Sequence, residues 1–129
     1  MNDSRQRKTV MIVEDDDATR DALATLLEDE NYRVLQACNG AEALQILNNA
    51  DPGACQMIFL DLMMPVMNGW DFRQQQRRTS TLASIPVVLM SAGAQLAIAS
   101  EDLDAAAYVS KPVVIDDLLA IVRRHCESA

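Results

Sequence analysis

The residues equipped for chemistry sit where apolar runs stop. TVMIV (9–13) runs into Glu14, Asp15, Asp16 and Asp17, and QMIFL (56–60) runs into Asp61. SIPVVLMSA (84–92) carries Ser91 near its end, and AAYV (106–109) leads into Ser110, Lys111 and Pro112. Carboxylates gathered at one place repel one another unless a positive charge neutralises them. Oxygen donors without a His or Cys cluster suit a hard cation, and a small site that keeps several waters suits Mg²⁺. Glu14, Asp15 and Asp61 are therefore candidate ligands, while Asp16 and Asp17 read as cap and solvent residues. Lys111 would add a fixed ammonium and Ser91 a hydroxyl. Such an inventory suits a phosphoryl group carried on a carboxylate.

These residues can meet only if the strands bearing them are neighbours. Between the runs lie helical patterns: ATRDALATLLEDE (18–30) with a stripe of Leu23, Leu26 and Leu27, AEALQILNN (41–49), the polar WDFRQQQRR (70–78), the short QLAIASEDL (95–103), and VIDDLLAIVRRHC (114–126) with Leu118, Ile121 and Val122 inward. A second strand falls at 32–37, Asn39 and Gly40 mark a turn or cap, and Asp51-Pro52-Gly53 breaks the chain. Apolar strands alternating with five helices imply an α/β fold: a doubly wound, five-stranded parallel sheet of order 2-1-3-4-5, covered on both faces. In that order strands one and three adjoin at the switch point. Glu14, Asp15 and Asp61 then share a crevice at the carboxyl edge, and Trp70, nine residues past Asp61, should lie near it.

The bulk properties bound the function. A chain of 129 residues, 50% hydrophobic and 23% charged, fits one compact domain, read as 9–126 with short tails at 1–8 and 127–129. Nineteen acids against eleven bases give a formal charge of -8, which disfavours direct contact with nucleic acid or an anionic membrane. No apolar run reaches membrane-spanning length, and MNDSRQRK lacks the apolar stretch of a secretory signal, so a cytoplasmic protein is expected. Cys38, Cys55 and Cys126 match no metal-ligand spacing and read as reduced thiols. His125, near the end of the last helix, reads as a surface residue.

VEDD (13–16), FLDLMMPVMNG (59–69), VVLMSA (87–92) and YVSKP (108–112) together resemble the response-regulator receiver domain of two-component signalling. The resemblance spans nearly the whole chain and implies a flavodoxin-like receiver fold. It also implies roles. Asp61 would accept a phosphoryl group from a sensor histidine kinase or a histidine phosphotransfer protein. Asp15, Asp61 and the backbone carbonyl of Met63 would hold Mg²⁺, with Glu14 acting through a metal-bound water. Lys111 would pair with Asp61 and then with a phosphoryl oxygen, Ser91 would bond another, and a cis Lys111-Pro112 bond would aim the lysine. Ser91 and Tyr108 would form the switch that signals to a downstream protein partner. The interval from Ser91 to Tyr108 is short for the family, and Met63 and Gly93 have no side chain able to orient a hydrolytic water, so autophosphatase activity is left open. A stand-alone signalling receiver is the first reading, and a non-phosphorylated pseudo-receiver serving as an interaction module is the alternative. A flavodoxin-like mononucleotide binder is disfavoured, because EDDD stands where a donor-rich phosphate loop would be needed.

Overall fold

The computed structural model describes residues 7–51, 53–64, 67–91 and 105–126. In chain order these form β1 (Thr9–Val13), α1 (Asp17–Asp29), β2 (Arg33–Ala37), α2 (Gly40–Asn49), β3 (Met57–Asp61), α3 (Gly69–Arg78), β4 (Val87–Ser91), β5 (Ala107–Ser110) and α4 (Ile115–Cys126). All strand pairings are parallel, and the order is β2-β1-β3-β4-β5. The doubly wound sheet of the expected order is thus present. Four helices occur among the described residues where five were expected, and the helix read at 95–103 lies outside them.

The two-residue period of the strands divides the core into two halves. Met11, Val13, Ile58, Leu60, Val87 and Leu89 point to one face and meet Ala43 and Leu47 of α2 and Phe72 of α3. Val10, Ile12, Met57, Phe59, Val88 and Met90 point to the other and meet Leu23 and Leu27 of α1 and Leu118 and Val122 of α4. Every residue of β3 and β4 is buried, as expected for central strands covered on both sides. Truncating one of these fully buried side chains, for instance Leu60→Ala, would cost about 2–5 kcal/mol.

Polar side chains set the helix starts. Asp16 caps α1 by accepting from the Thr19 amide, Asn39 caps α2 by accepting from Glu42, and Asn68 caps α3 by accepting from Asp71. The structure adds detail to three sequence readings. The polar helix α3 buries Arg73 and Gln76 along with Phe72, because Gln76 donates to the carbonyls of Leu82 and Ile85 at 2.9 and 3.0 Å and accepts from Arg73 Nη1 at 2.8 Å. Part of its polarity is thus used inside the fold, while Asp71, Gln74, Gln75, Arg77 and Arg78 stay exposed. His125 is half-buried, with a buried Nε2, since the last turn of α4 packs down onto the sheet. Trp70 packs partly buried against the cluster beneath α2 and α3 and is not among the residues lining the acidic crevice.

Candidate functional site

Each chemistry-bearing segment is fixed by one more backbone bond beyond its strand ladder. The Glu14 amide donates to Ala37 O at 3.0 Å, the Leu62 amide to Met90 O at 3.2 Å, and the Lys111 amide to Ser91 O at 3.0 Å. The sheet's parallel hydrogen bonding therefore continues past Val13, Asp61 and Ser110, and it carries their neighbours to a common edge. There, Glu14, Asp15, Asp16, Asp61, Met63, Ser91 and Lys111 line a crevice of about 280 Å³.

Two of the acids are deeply placed: Glu14 is 1% exposed and Asp61 3%. Carboxylates at that depth need positive charge or hydrogen-bond donors. Lys111 Nζ supplies both, at 2.7 Å from Glu14 Oε1 and 2.9 Å from Asp61 Oδ2. The remaining carboxylate oxygens accept backbone amides, Asp61 Oδ1 from Met63 at 3.1 Å and Glu14 Oε2 from Asp16 at 3.1 Å. Burial works against the charge on Lys111, but hydrogen bonds to Glu14 and Asp61, together with their negative charge, outweigh it and raise its pKa above the usual 10.5. The Lys111–Pro112 peptide is cis.

Asp15 stands exposed at the mouth of the crevice. Loss of hydration raises its pKa above 3.8, and a hydrogen bond and like charge from Glu14 raise it further. One carboxylate oxygen from each of Glu14, Asp15 and Asp61 falls within a common 4.8 Å. An oxygen-only set of three acids, one of them disfavoured as an anion, fits a hard divalent cation of the Mg²⁺ type. Asp16 belongs elsewhere: its Oδ2 accepts from the Thr19 hydroxyl and amide at 2.6 and 2.9 Å, and these two bonds lower its pKa.

Ser91 is buried at the end of β4, beside Ser110 in register, and contributes to the crevice wall. The Met63 side chain is exposed at its rim. Tyr108 lies in β5 opposite Leu89, half-buried, with its hydroxyl accepting from the Ala105 amide at 3.3 Å and its ring against the α2–α3 side of the core. It does not line the crevice.

One contributor escaped the sequence reading. Arg20, which lies outside the leucine stripe of α1, turns back and donates from Nη1 to the Glu14 carbonyl at 2.8 Å while Nη2 meets Asp17 Oδ1 at 2.6 Å. It thereby braces the acidic loop from outside. An arginine one turn into a helix that follows a run of acids is the available signal, since its three-residue spacing from Asp17 suits an ion pair.

Comparison with known proteins places this geometry. The model of the response regulator receiver domain matches residues 10–123. The DNA-binding dual master transcriptional regulator RpaA of Synechocystis is 33% identical over 116 residues, covering 88% of this chain and 47% of RpaA. The chain spans about half the length of the first curated relatives it matches. Among solved structures, the chemotaxis response regulator CheY4 of Vibrio cholerae has a TM-score of 0.82 at 26% identity, covering 92% of this chain and 98% of CheY4. The receiver domain of the sensor histidine kinase PA1611 of Pseudomonas aeruginosa, with a magnesium ion coordinated in its active-site cleft, has a TM-score of 0.83 at 22% identity, covering 95% of this chain and 99% of that one. With the match running from β1 into α4, the chain belongs to the response regulator receiver domain family.

Proposed function

We propose that this chain is a phosphoacceptor: Asp61 takes a phosphoryl group from the phosphohistidine of a sensor histidine kinase or histidine phosphotransfer protein, and the change is read by a protein partner. The observation that carries this reading is the position of Lys111 Nζ, within 3 Å of both Glu14 and Asp61 at the edge of the sheet. In the transfer, Asp61 Oδ attacks phosphorus, an O–P bond forms as the N–P bond to the donor breaks, and the imidazole leaves with that bonding pair. Lys111 can pass from Asp61 to a phosphoryl oxygen without leaving the crevice, so positive charge accompanies the negative charge that moves. Ser91 offers its hydroxyl to a second oxygen.

Glu14, Asp15 and Asp61, with the Met63 carbonyl, would hold Mg²⁺, with Glu14 contributing through water. When bound, the cation neutralises charge on the phosphoryl oxygens and the acids around them. The magnesium of the PA1611 receiver supports this assignment for the acids here. Movement of Ser91 toward the phosphoryl group, with Tyr108 turning inward behind it, would pass the change toward β5. No helix among the described residues is long and apolar enough to cross a membrane, and a cytoplasmic place of action is part of this reading. DNA binding belongs to RpaA by name; a charge of -8 favours protein partners over nucleic acid for this chain.

The test is phosphorylation by acetyl phosphate with Mg²⁺, followed by intact mass. Wild type should gain one phosphoryl group and Asp61→Asn none, with unchanged circular dichroism. A wild type that gains none from any donor favours a pseudo-receiver that serves only as an interaction module.

A further inference from the structure

Gly40, the first residue of α2, offers no ligand atom and does not line the crevice, yet it is pressed against the segment that follows Asp61. A Cβ at Gly40 would fall 2.9 Å from Met67 Cγ, 3.0 Å from the Met67 carbonyl oxygen and 3.1 Å from Met67 Sδ. The space is closed by the neighbour rather than by backbone conformation, since Gly40 does not have a positive φ. The contact is also bonded, with the Gly40 amide donating to Met67 O at 3.1 Å.

Both sides of that contact are anchored. On the α2 side, Asn39 Oδ1 accepts from the Glu42 amide at 2.8 Å, and Glu42 Oε1 accepts from the Cys38 amide at 2.8 Å. This reciprocal cap sets the helix start against which Met67 rests. On the loop side, Met67 leads into Asn68 and Gly69, and the Gly69 amide returns to Leu62 O at 3.0 Å. A Cβ at Gly69 would meet Leu62 Cδ2 at 2.8 Å, Leu62 Cα at 2.9 Å and the Asp61 carbonyl at 3.1 Å. The segment bearing Asp61 and Met63 is thus held near its start by Gly69 and farther along by Gly40, which belongs to a different βα unit.

We infer that Gly40 is a positioning residue for the divalent-cation and phosphoryl site, acting through Met67 on the segment that presents Asp61 and Met63. The inference rests on the reading of the crevice as that site. A side chain at position 40 pushes Met67 outward, and the displacement runs through Asn68 and Gly69 to Leu62 and Asp61. Groups behind metal ligands matter at this scale: losing such support costs about 10–100-fold in affinity. Alanine is the better helix former, so Gly40→Ala does not weaken α2 itself.

The test is a Mg²⁺ titration of the full chain by calorimetry, for wild type, Gly40→Ala and Gly40→Ala/Met67→Ala, with far-ultraviolet circular dichroism on each. Gly40→Ala should keep the native spectrum and bind Mg²⁺ about tenfold more weakly or worse. The double variant, which removes Met67 Cγ and Sδ but keeps its carbonyl, should recover part of the loss. Wild-type affinity in Gly40→Ala, or a double variant no better than the single, overturns the inference. A wild type that binds no Mg²⁺ overturns the crevice reading and this inference with it. A second measurement needs no variant: Mg²⁺ should shift the Gly40 amide resonance of wild type and slow its hydrogen exchange. A Gly40 amide unchanged while the Met63 amide shifts overturns the inference even where Gly40→Ala does not fold.

Discussion

Lys111 Nζ lies 2.7 Å from Glu14 Oε1 and 2.9 Å from Asp61 Oδ2, so a single ammonium joins two buried carboxylates that follow or end different strands. Removing it leaves both acids without their cation. Lys111→Met should destabilise the metal-free protein at neutral pH by about 2–4 kcal/mol, less than for a fully buried pair because the lysine is partly hydrated. Mg²⁺ should then stabilise the variant more than it stabilises wild type. Urea unfolding of both proteins with and without Mg²⁺ checks the comparison; equal Mg²⁺ gains would show that the two cations do not share the acids.

Asp15 gives a pH dependence of definite sign. Its folded-state pKa is raised above 3.8, first by lost hydration and then by Glu14, so the folded chain holds this proton more tightly than the unfolded chain does. Ionised Asp15 therefore costs stability above the raised value, and the cost disappears below pH 3.8, where both states are protonated. Asp15→Asn should raise the melting temperature of the metal-free protein at pH 7, with the gain fading as pH falls through the raised pKa. The same change should weaken Mg²⁺ binding. Thermal melts across pH, with and without the cation, measure both effects; a variant less stable than wild type at pH 7 would contradict the assignment.

Gln76 separates scaffold from site. It is fully buried, donates to Leu82 O and Ile85 O, and accepts from Arg73. Gln76→Met keeps the volume but removes those bonds, and should cost about 1–3 kcal/mol. Phosphorylation of the folded fraction should be unchanged, because Gln76 and the groups it bonds, Arg73, Leu82 and Ile85, do not line the crevice. Chemical unfolding gives the first quantity and intact mass after treatment with acetyl phosphate gives the second.

The sheet and the acidic edge were legible in the sequence because apolar runs ending in Glu14, Asp61, Ser91 and Lys111 encode parallel strands and their carboxyl ends directly. Burial of polar residues was not. In α3, the burial of Gln76 is not legible because the carbonyls that satisfy it come six and nine residues later, across a turn with no periodic signature. Arg20 is legible only in part: its ion pair with Asp17 follows from their spacing, whereas its bond to the Glu14 carbonyl is invisible to side-chain patterns. The fit of Gly40 against Met67 depends on how two βα units dock, and the partial burial of Trp70 against the core is a tertiary contact that its distance along the chain from Asp61 does not encode. Lys111 itself was placed at the edge from its strand, but its shorter bond, to Glu14 rather than to Asp61, came only with the geometry.

The most direct measurement is the position of the phosphoryl group. An acyl phosphate on a carboxylate is reduced by borohydride to an alcohol, so the modified aspartate becomes homoserine and keeps a permanent mass label. Wild type treated with acetyl phosphate and Mg²⁺, then with borohydride, should carry homoserine at position 61 alone in peptide mass spectra, and omission of Mg²⁺ should remove it. Homoserine at Asp15 or Asp16 with none at position 61, or an equal yield from Asp61→Asn, would contradict Asp61 as the acceptor.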